Sequence, residues 1–253
     1  VDQWFLLRDY LLACLRSEAE FRENRAYAIA PTLTSVSRQS LFAGRLPGNF
    51  PDTILTTTAD GERWQNYWVN RGRRRGRVTY LNVKMTGQFD ELRTIVDSKN
   101  EILGIVINLF DDTMHSVKDL RAGKRVFYDT LISYLKNSAT DQFFDLLLEA
   151  GYRVFITSDH GNVDAVGMGV KSPKALIETY AKRVTIFKEQ SLAEAFAENP
   201  RLTLFRPLFL PEDLYPVYPR ADEMFATERS VAISHGGLSI EEMIVPFIEV
   251  TPS

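Results

Sequence analysis

Two short apolar runs, separated by one long helical segment, constrain the fold of this chain more than any other feature. Residues 102–109 and 153–157 have the length and composition of strands that are covered on both faces. Apolar residues at helical spacing predict a helix over about residues 123–149, and Gly151 then breaks it. A strand, a helix and a second strand in this order are typical of a parallel sheet. The sequence therefore predicts an α/β fold.

The remaining elements are consistent with this arrangement. The apolar spacing of Trp64, Tyr67 and Trp68 is compatible with a helix. Further helices are predicted over residues 4–22 and 34–43, and further strands over residues 26–30, 78–85, 183–187, 230–233 and 244–250. A chain of 253 residues with 45% hydrophobic content can bury one large core, and it contains no repeat or interdomain linker. We expect a single domain over residues 1–253.

The composition excludes several classes of protein. A formal net charge of −3 gives no overall attraction to nucleic acid or to an anionic membrane. A lone cysteine, Cys14, excludes an internal disulfide framework and fits a reducing compartment. No signal peptide is visible, and no run approaches the roughly 18 apolar residues that a membrane helix needs, so we expect no membrane partner. The arginine-rich run at residues 71–77 fits either a solvated loop or a contact for a polyanion.

Acidic or glycine neighbours accompany each of the three histidines, His115, His160 and His235. Each histidine also follows a predicted strand or strand-like run, and in open α/β sheets ligands bind beyond the carboxyl ends of the strands. The pair Asp159 and His160 lies at such a strand-to-loop corner, while Gly236 and Gly237 allow a tight turn after His235. We therefore expect the three imidazoles to meet at one edge of the sheet.

Candidate metal ligands precede the first histidine. Asp111 is four residues before His115, which would place both on one face of a helical turn, and Asp112 is a competing choice at a spacing of three. Two carboxylates and three imidazoles suit zinc, or another borderline divalent metal such as manganese.

A hydroxyl nucleophile is expected just after the strand at residues 26–30. The segment at residues 31–38 contains Thr32, Thr34 and Ser35 and leads into a helix, whose N-terminus favours anions. A nearby metal would lower the pKa of such a hydroxyl and activate it. The alternative is that Thr34 or Ser35 only caps the helix.

Taken in order, these segments resemble the alkaline-phosphatase superfamily. The stretch from Pro31 to Gly44 resembles the nucleophile segment of nucleotide pyrophosphatase/phosphodiesterases. The finer details resemble the PglZ family, and these are Asp2-Gln3-Trp4, Thr34-Ser35-Val36-Ser37-Arg38, Trp64 with Trp68, Ser158-Asp159-His160-Gly161-Asn162, and Ser234-His235-Gly236-Gly237-Leu238-Ser239 followed by residues 241–247. The resemblance covers nearly the whole chain. It implies an alkaline-phosphatase-like sandwich with a mostly parallel central sheet flanked by helices.

The resemblance also implies roles for individual residues. Thr34 would be the nucleophile, and two divalent metal ions would activate it and stabilise the leaving oxygen. The implied ligands of one metal are Asp111, His115 and His235, and those of the other are Asp159, His160 and the Thr34 oxygen. A further aspartate, in an Asp-Gly motif at the end of a first strand, is expected upstream of Val1, so the chain is interpreted as a fragment of a longer protein.

Two more residues belong to the predicted site. Arg38, one turn after Thr34, would contact a phosphate oxygen or form an ordinary ion pair. Asn162 would orient a metal ligand from behind or serve a plain turn.

The implied activity is a metal-dependent phosphodiesterase acting on nucleotides or oligonucleotides, in a cytoplasmic bacteriophage-exclusion (BREX-type) or signalling context with possible partner subunits. A phosphomonoesterase and a non-catalytic scaffold of a phage-exclusion complex are the alternatives. Within the superfamily, a sulfatase is disfavoured because Cys14 lies far from the nucleophile segment, and a mutase lacks any signal in the sequence.

Overall fold

The structure, a computed structural model, describes most of the chain. The described residues are 2–14, 19–83, 93–96, 98, 100–108, 120–136, 138–173 and 181–252. The helices are α1 (Asp2–Cys14), α2 (Thr34–Ala43), α3 (Asp60–Val69), α4 (Leu120–Leu135), α5 (Ser138–Glu149), α6 (Gln190–Ala197) and α7 (Ile240–Met243). Residues 93–96 add a helical turn, and 3₁₀ helices span Pro47–Asn49, Pro51–Thr53 and Arg75–Arg77. The fold is mixed α/β.

The described strands form four small sheets. They are β1 (Ala19–Tyr27), β2 (Val78–Val83), β3 (Ile102–Ile107), β4 (Val154–Thr157), β5 (Val163–Gly167), β6 (Thr185–Phe187), β7 (Leu202–Leu204), β8 (Tyr215–Pro219), β9 (Glu223–Met224), β10 (Val231–Ser234) and β11 (Ile244–Pro252). The sheet orders are β1-β11-β4, β10-β5-β9, β2-β3 and β6-β8-β7. The β1–β11 ladder is the longest, pairing Ala19 with Pro252 and Tyr27 with Ile244.

The expected mostly parallel central sheet is not confirmed. Among the described strands only β2 with β3 and β5 with β9 pair in parallel, and the other pairs are antiparallel. The strand–helix–strand pattern predicted a parallel sheet, but β3 pairs with β2 while β4 pairs with β11. Apolar periodicity indicates that a strand is buried and does not specify its partner, which long-range contacts decide.

Two helix predictions were also wrong in their bounds. The helix expected over residues 4–22 ends at Cys14, because residues from Ala19 onward pair with the C-terminal strand. The single helix expected over residues 123–149 is two helices, and the second begins at Ser138, a residue type that favours helix starts. By contrast, the helix predicted over residues 34–43 is observed with those bounds, and Gly44 follows it with a left-handed φ of 57°.

Helix α2 is anchored by its buried face. Leu33 and Val36 are fully buried and pack with Val184, Ile186 and Tyr218, from the β6–β8 region. Three residues of α2 escape full burial, namely Thr34, Arg38 and Leu41. These lie at i, i+4 and i+7, so they form one stripe along the helix. Packing therefore turns Thr34 and Arg38 to the same side.

None of the helices in the described part of the chain combines the length and the apolar character that crossing a membrane requires.

We expect the central position of β11 to carry much of the stability of the β1-β11-β4 sheet. Replacing the fully buried Ile248 with alanine should lower the free energy of unfolding by about 2–5 kcal/mol, since it leaves a cavity. The control is Ile244→Ala in the same strand, where the side chain is 39% exposed, and it should cost clearly less. Urea unfolding followed by circular dichroism measures both, and equal losses would contradict this assignment of the core.

Candidate active site

Thr34 is the first residue of α2, and its side chain does not cap the helix. The residue at the N-cap is Leu33, which makes no side-chain capping hydrogen bond. The Thr34 hydroxyl instead lies 3.0 Å from Nε2 of His160, which is 126 positions further along the chain. The capping alternative for Thr34 is therefore wrong, and its oxygen is available for chemistry at the histidines.

The tautomer of His160 follows from its second hydrogen bond. Its Nδ1 lies 2.9 Å from the carbonyl oxygen of Gly161, which can only accept, so Nδ1 donates. In the neutral ring the lone pair is then on Nε2, and the Thr34 hydroxyl donates to it. This leaves the nitrogen that faces Thr34 suited to bind a metal, and the other nitrogen holds the ring in place.

The loop after β4 holds Asp159 and His160 against α7. Oδ1 of Asp159 accepts a hydrogen bond of 3.1 Å from the backbone N–H of His160, and Ser158 donates to the His160 carbonyl. Gly161 is required at the next position, because a Cβ there would lie 1.9 Å from the carbonyl oxygen of Glu241. The Asp-His-Gly motif thus combines two candidate ligands with the residue that permits close backbone packing.

His235 completes the observed cluster. It follows β10 directly, it is 2% exposed, and its ring stacks on His160 with centroids 4.2 Å apart and planes 13° apart. Its Nδ1 donates to the carbonyl oxygen of Thr32 at 2.9 Å, which places the lone pair of the neutral ring on Nε2. Two stacked imidazoles, each held through Nδ1 by a backbone carbonyl, are suited to ligate metal through Nε2.

Thr32 links this histidine to the segment that leads into α2. Its hydroxyl donates to the carbonyl oxygen of Gly237 at 2.8 Å and accepts from the backbone N–H of Gly236 at 3.1 Å. The residue is fully buried, so these bonds replace water. The sequence also offers the Thr32 hydroxyl as a candidate nucleophile. In the structure this hydroxyl instead binds the backbone of the turn after β10.

A buried ion pair fixes the same turn from the other side. The carboxylate of Glu242 accepts from Arg183 at 3.0 and 3.1 Å, and from the backbone N–H groups of Gly237 and Ser239 at 2.8 and 3.1 Å. Arg183 also donates to the carbonyl oxygens of Ala221 and Glu223. Both side chains are at most 2% exposed. The position of His235 therefore depends on a fully hydrogen-bonded pair of charges.

Arg38 forms the intramolecular ion pair that the sequence left open. Its Nε donates to Oδ2 of Asp60 at 2.7 Å, and its Nη1 lies 3.4 Å from Oδ1 of Asn108, the residue that follows β3. Burial lowers the pKa of Arg38, but the hydrogen bond to Asp60 and the charge of Asp159 outweigh burial and raise it. Burial raises the pKa of Asp60, against the lowering effect of Arg38. The guanidinium thus lies in the field of Asp159.

The remaining predicted residues have different outcomes. Asp111, His115 and the competing Asp112 lie outside the described residues. Within the described ranges, no three His, Cys, Asp or Glu side chains come close enough to form a metal site by themselves. Asn162 is half-buried directly after Gly161 and leads into β5, so its position is compatible with either role considered for it. The structure thus brings together Thr34, His160 and His235, with Asp159 adjacent in the chain.

An open cleft of about 340 Å³ lies beside Asp159. Its walls come from the end of β1, from α2 and from β11, and they are mainly apolar, with Leu41 and Phe247 among them. Asp159 lines this cleft, whereas Thr34, His160 and His235 do not.

Sequence reasoning missed three residues that organise the site. Glu242 stands three residues after Ser239, a Ser-x-x-Glu spacing that is a helix-start signal, and this signal pointed to a structural role. From the sequence, Asp60 is recognisable only as an acidic residue at a helix start, and no sequence signal indicates its contact with Arg38. Asn108 directly follows β3, a position where ligand-binding residues often lie, but the strand predicted over residues 102–109 includes it.

The chain matches a family described as the BREX system PglZ alkaline phosphatase-like domain, over residues 1–250. No curated protein matches it in sequence. Among solved structures it is similar to human ectonucleotide pyrophosphatase/phosphodiesterase 5, with a TM-score of 0.52 and 14% identity. That alignment covers 88% of this chain and 77% of the human one. At this identity the likeness concerns the fold alone.

We expect the Glu242 carboxylate to be indispensable for stability. Glu242→Ala leaves Arg183 buried without its charge partner, which should cost about 3–5 kcal/mol in the free energy of unfolding. The neighbouring Glu241 is exposed, and Glu241→Ala should change it by no more than about 0.5 kcal/mol. Chemical unfolding of both variants tests this, and a Glu242→Ala protein as stable as Glu241→Ala would refute it.

Proposed function

Because this chain belongs to the PglZ family, the alkaline phosphatase-like domain of BREX systems, we propose that it is a metal-dependent phosphohydrolase that cleaves phosphodiesters of nucleotides or oligonucleotides. The observation that carries the proposal is the contact between the Thr34 hydroxyl and Nε2 of His160, with His235 stacked on the same ring. A hydroxyl at a helix start, next to two oriented imidazoles, is the arrangement that a metal-activated nucleophile requires.

The donor set supports a site for divalent metals. His160 and His235 both present Nε2, and the Thr34 oxygen and the Asp159 carboxylate supply hard donors, a mixture suited to zinc or manganese. In the proposal Asp159, His160 and Thr34 hold one metal, together with the aspartate that the resemblance places upstream. His235 holds the other with Asp111 and His115, and Asn162 supports a ligand from behind. Bound metals would polarise the phosphoryl oxygens and lower the pKa of the nucleophilic hydroxyl.

The chain's own residues then perform the transfer. The Thr34 oxygen attacks phosphorus in line and loses its proton, the bond from phosphorus to the leaving oxygen breaks, and the alcohol departs with one proton, which balances the proton lost from Thr34. Water next attacks the phosphothreonine, which releases a phosphate monoester and restores the threonine hydroxyl. Arg38, on the same stripe of α2, contacts a non-bridging oxygen with its guanidinium. Backbone carbonyls keep both imidazoles oriented throughout.

The solved structure to which this chain is similar is named a pyrophosphatase/phosphodiesterase, which favours a diester over a monoester as substrate. A phosphodiester carries a second organic group on phosphorus, which a monoester lacks. The family description also supports a setting in phage defence, where other subunits of the system would be partners in the cytoplasm.

We expect Thr34→Ala to abolish hydrolysis of bis-p-nitrophenyl phosphate while bound metal is retained, because the histidines and carboxylates stay in place. The matched control is Ser35→Ala, which removes the buried hydroxyl of the next residue and should leave the rate within about 3-fold. Release of p-nitrophenol measures turnover and elemental analysis measures metal. Full activity of Thr34→Ala would rule out the proposed nucleophile.

Metal content separates the enzyme from a scaffold of the defence complex. His160→Ala should lower the affinity for zinc or manganese about 10-fold or more, because it removes a proposed ligand. Asp164→Asn, at an exposed carboxylate in β5, should leave metal binding as in the wild type. Elemental analysis after dialysis gives the readout. A wild-type protein that binds no divalent metal and hydrolyses no phosphodiester would favour the scaffold.

A further inference from the structure

A polar ladder crosses the carboxyl ends of β2 and β3. Asp60 bonds to Arg38, Arg38 reaches Asn108, and Nδ2 of Asn108 lies 3.3 Å from Oδ1 of Asn82. Asn82 belongs to β2 and Asn108 follows β3, which pair in parallel with Val83 opposite Ile107. The ladder therefore lies at the edge of a parallel sheet where ligands bind.

Asp60 holds Arg38 by one nitrogen only. The bond is from Nε to Oδ2, and the other carboxylate oxygen, Oδ1, is buried without a hydrogen-bond partner within the described residues. Nη1 makes only the long contact to Asn108, and Nη2 makes no hydrogen bond in the part of the chain that the structure describes. This differs from the paired, two-bond geometry that maximises an arginine–carboxylate contact. The two Nη groups keep donors for another acceptor.

Stability alone gives little reason for a buried carboxylate at this position. The Asp60 side chain is 1% exposed and that of Arg38 is 12% exposed, and desolvation cancels much of the attraction in such pairs. An acid in the first turn does favour a helix start, but the exposed Glu62 in the same turn of α3 already provides that charge. The burial of Asp60 therefore calls for a role beyond the helix.

We propose that Asp60 is a positioning residue that holds the Arg38 guanidinium by Nε, so that its Nη groups, beside Asn108, bind the non-bridging oxygens of a phosphate group. This rests on the proposed function, since it assigns the orienting partner of the arginine in that site. Arg38 lies one turn from Thr34 on the same stripe of α2, which places the anion site next to the nucleophile. Asn108 adds an amide at the same edge.

A double-mutant cycle tests this assignment. The proteins are the wild type, Asp60→Asn, Arg38→Ala and the double variant, with Glu62→Gln as the matched control in the same helical turn. Two measurements are made on each protein: hydrolysis of bis-p-nitrophenyl phosphate, which gives KM and kcat, and calorimetry with inorganic phosphate, which gives Kd. Urea unfolding reports on stability separately. If Asp60→Asn does not fold, Asp60→Glu, which keeps the charge, takes its place.

Asp60→Asn should weaken phosphate binding and raise KM by about 10-fold, the size of effect seen when an orienting partner is lost. The double variant should be no worse than Arg38→Ala, because Asp60 acts through Arg38. Glu62→Gln should change neither quantity by more than about 2-fold.

Three outcomes would overturn the assignment: unchanged phosphate binding in Asp60→Asn, losses that multiply in the double variant, or a wild-type protein that binds no phosphate. Failure of the proposed function would look different. The wild type would then bind phosphate, with the non-additive pattern intact, but would hydrolyse no ester.

Discussion

The candidate site depends on the contacts of one carboxylate, that of Glu242. It is fully buried and receives hydrogen bonds from Arg183 and from two backbone N–H groups, at Gly237 and Ser239. A buried charge is tolerated only when it is paired and hydrogen-bonded. Moving the Glu242 carboxylate away from these donors would therefore be strongly destabilising. This carboxylate fastens the turn after β10 to α7, which leads into β11, and the position of His235 follows from that turn.

From that turn a series of contacts leads to Thr34, the proposed nucleophile. His235 donates to the backbone of Thr32, its ring stacks on His160, and His160 meets the hydroxyl of Thr34. These contacts join residues that are 75 to 203 positions apart in the chain. Because both rings are oriented by backbone carbonyls, the site is held by the main chain of the fold, and side-chain rotation alone cannot disperse it.

Local sequence signals predicted part of this arrangement well. Helix α2 was predicted with its observed bounds, because apolar periodicity, a polar start and Gly44 at its end all act within a few residues of one another. The histidines at 160 and 235 were assigned to one site, since each follows a strand and strand ends converge. Sheet pairing was not predictable in this way. Strand β4 pairs with β11, which is about 90 residues later in the chain, and not with a parallel neighbour.

The sequence by itself determined the chemical inventory: a hydroxyl at a helix start, the Asp-His-Gly corner, the late histidine with its glycines, and the arginine one turn beyond the hydroxyl. Tertiary structure alone decided the tautomers of His160 and His235, the partner of Arg38, and the burial of Glu242 against Arg183. The reason is physical. Residue types and short spacings are properties of the chain, whereas hydrogen-bond partners and desolvation exist only after distant segments have packed together.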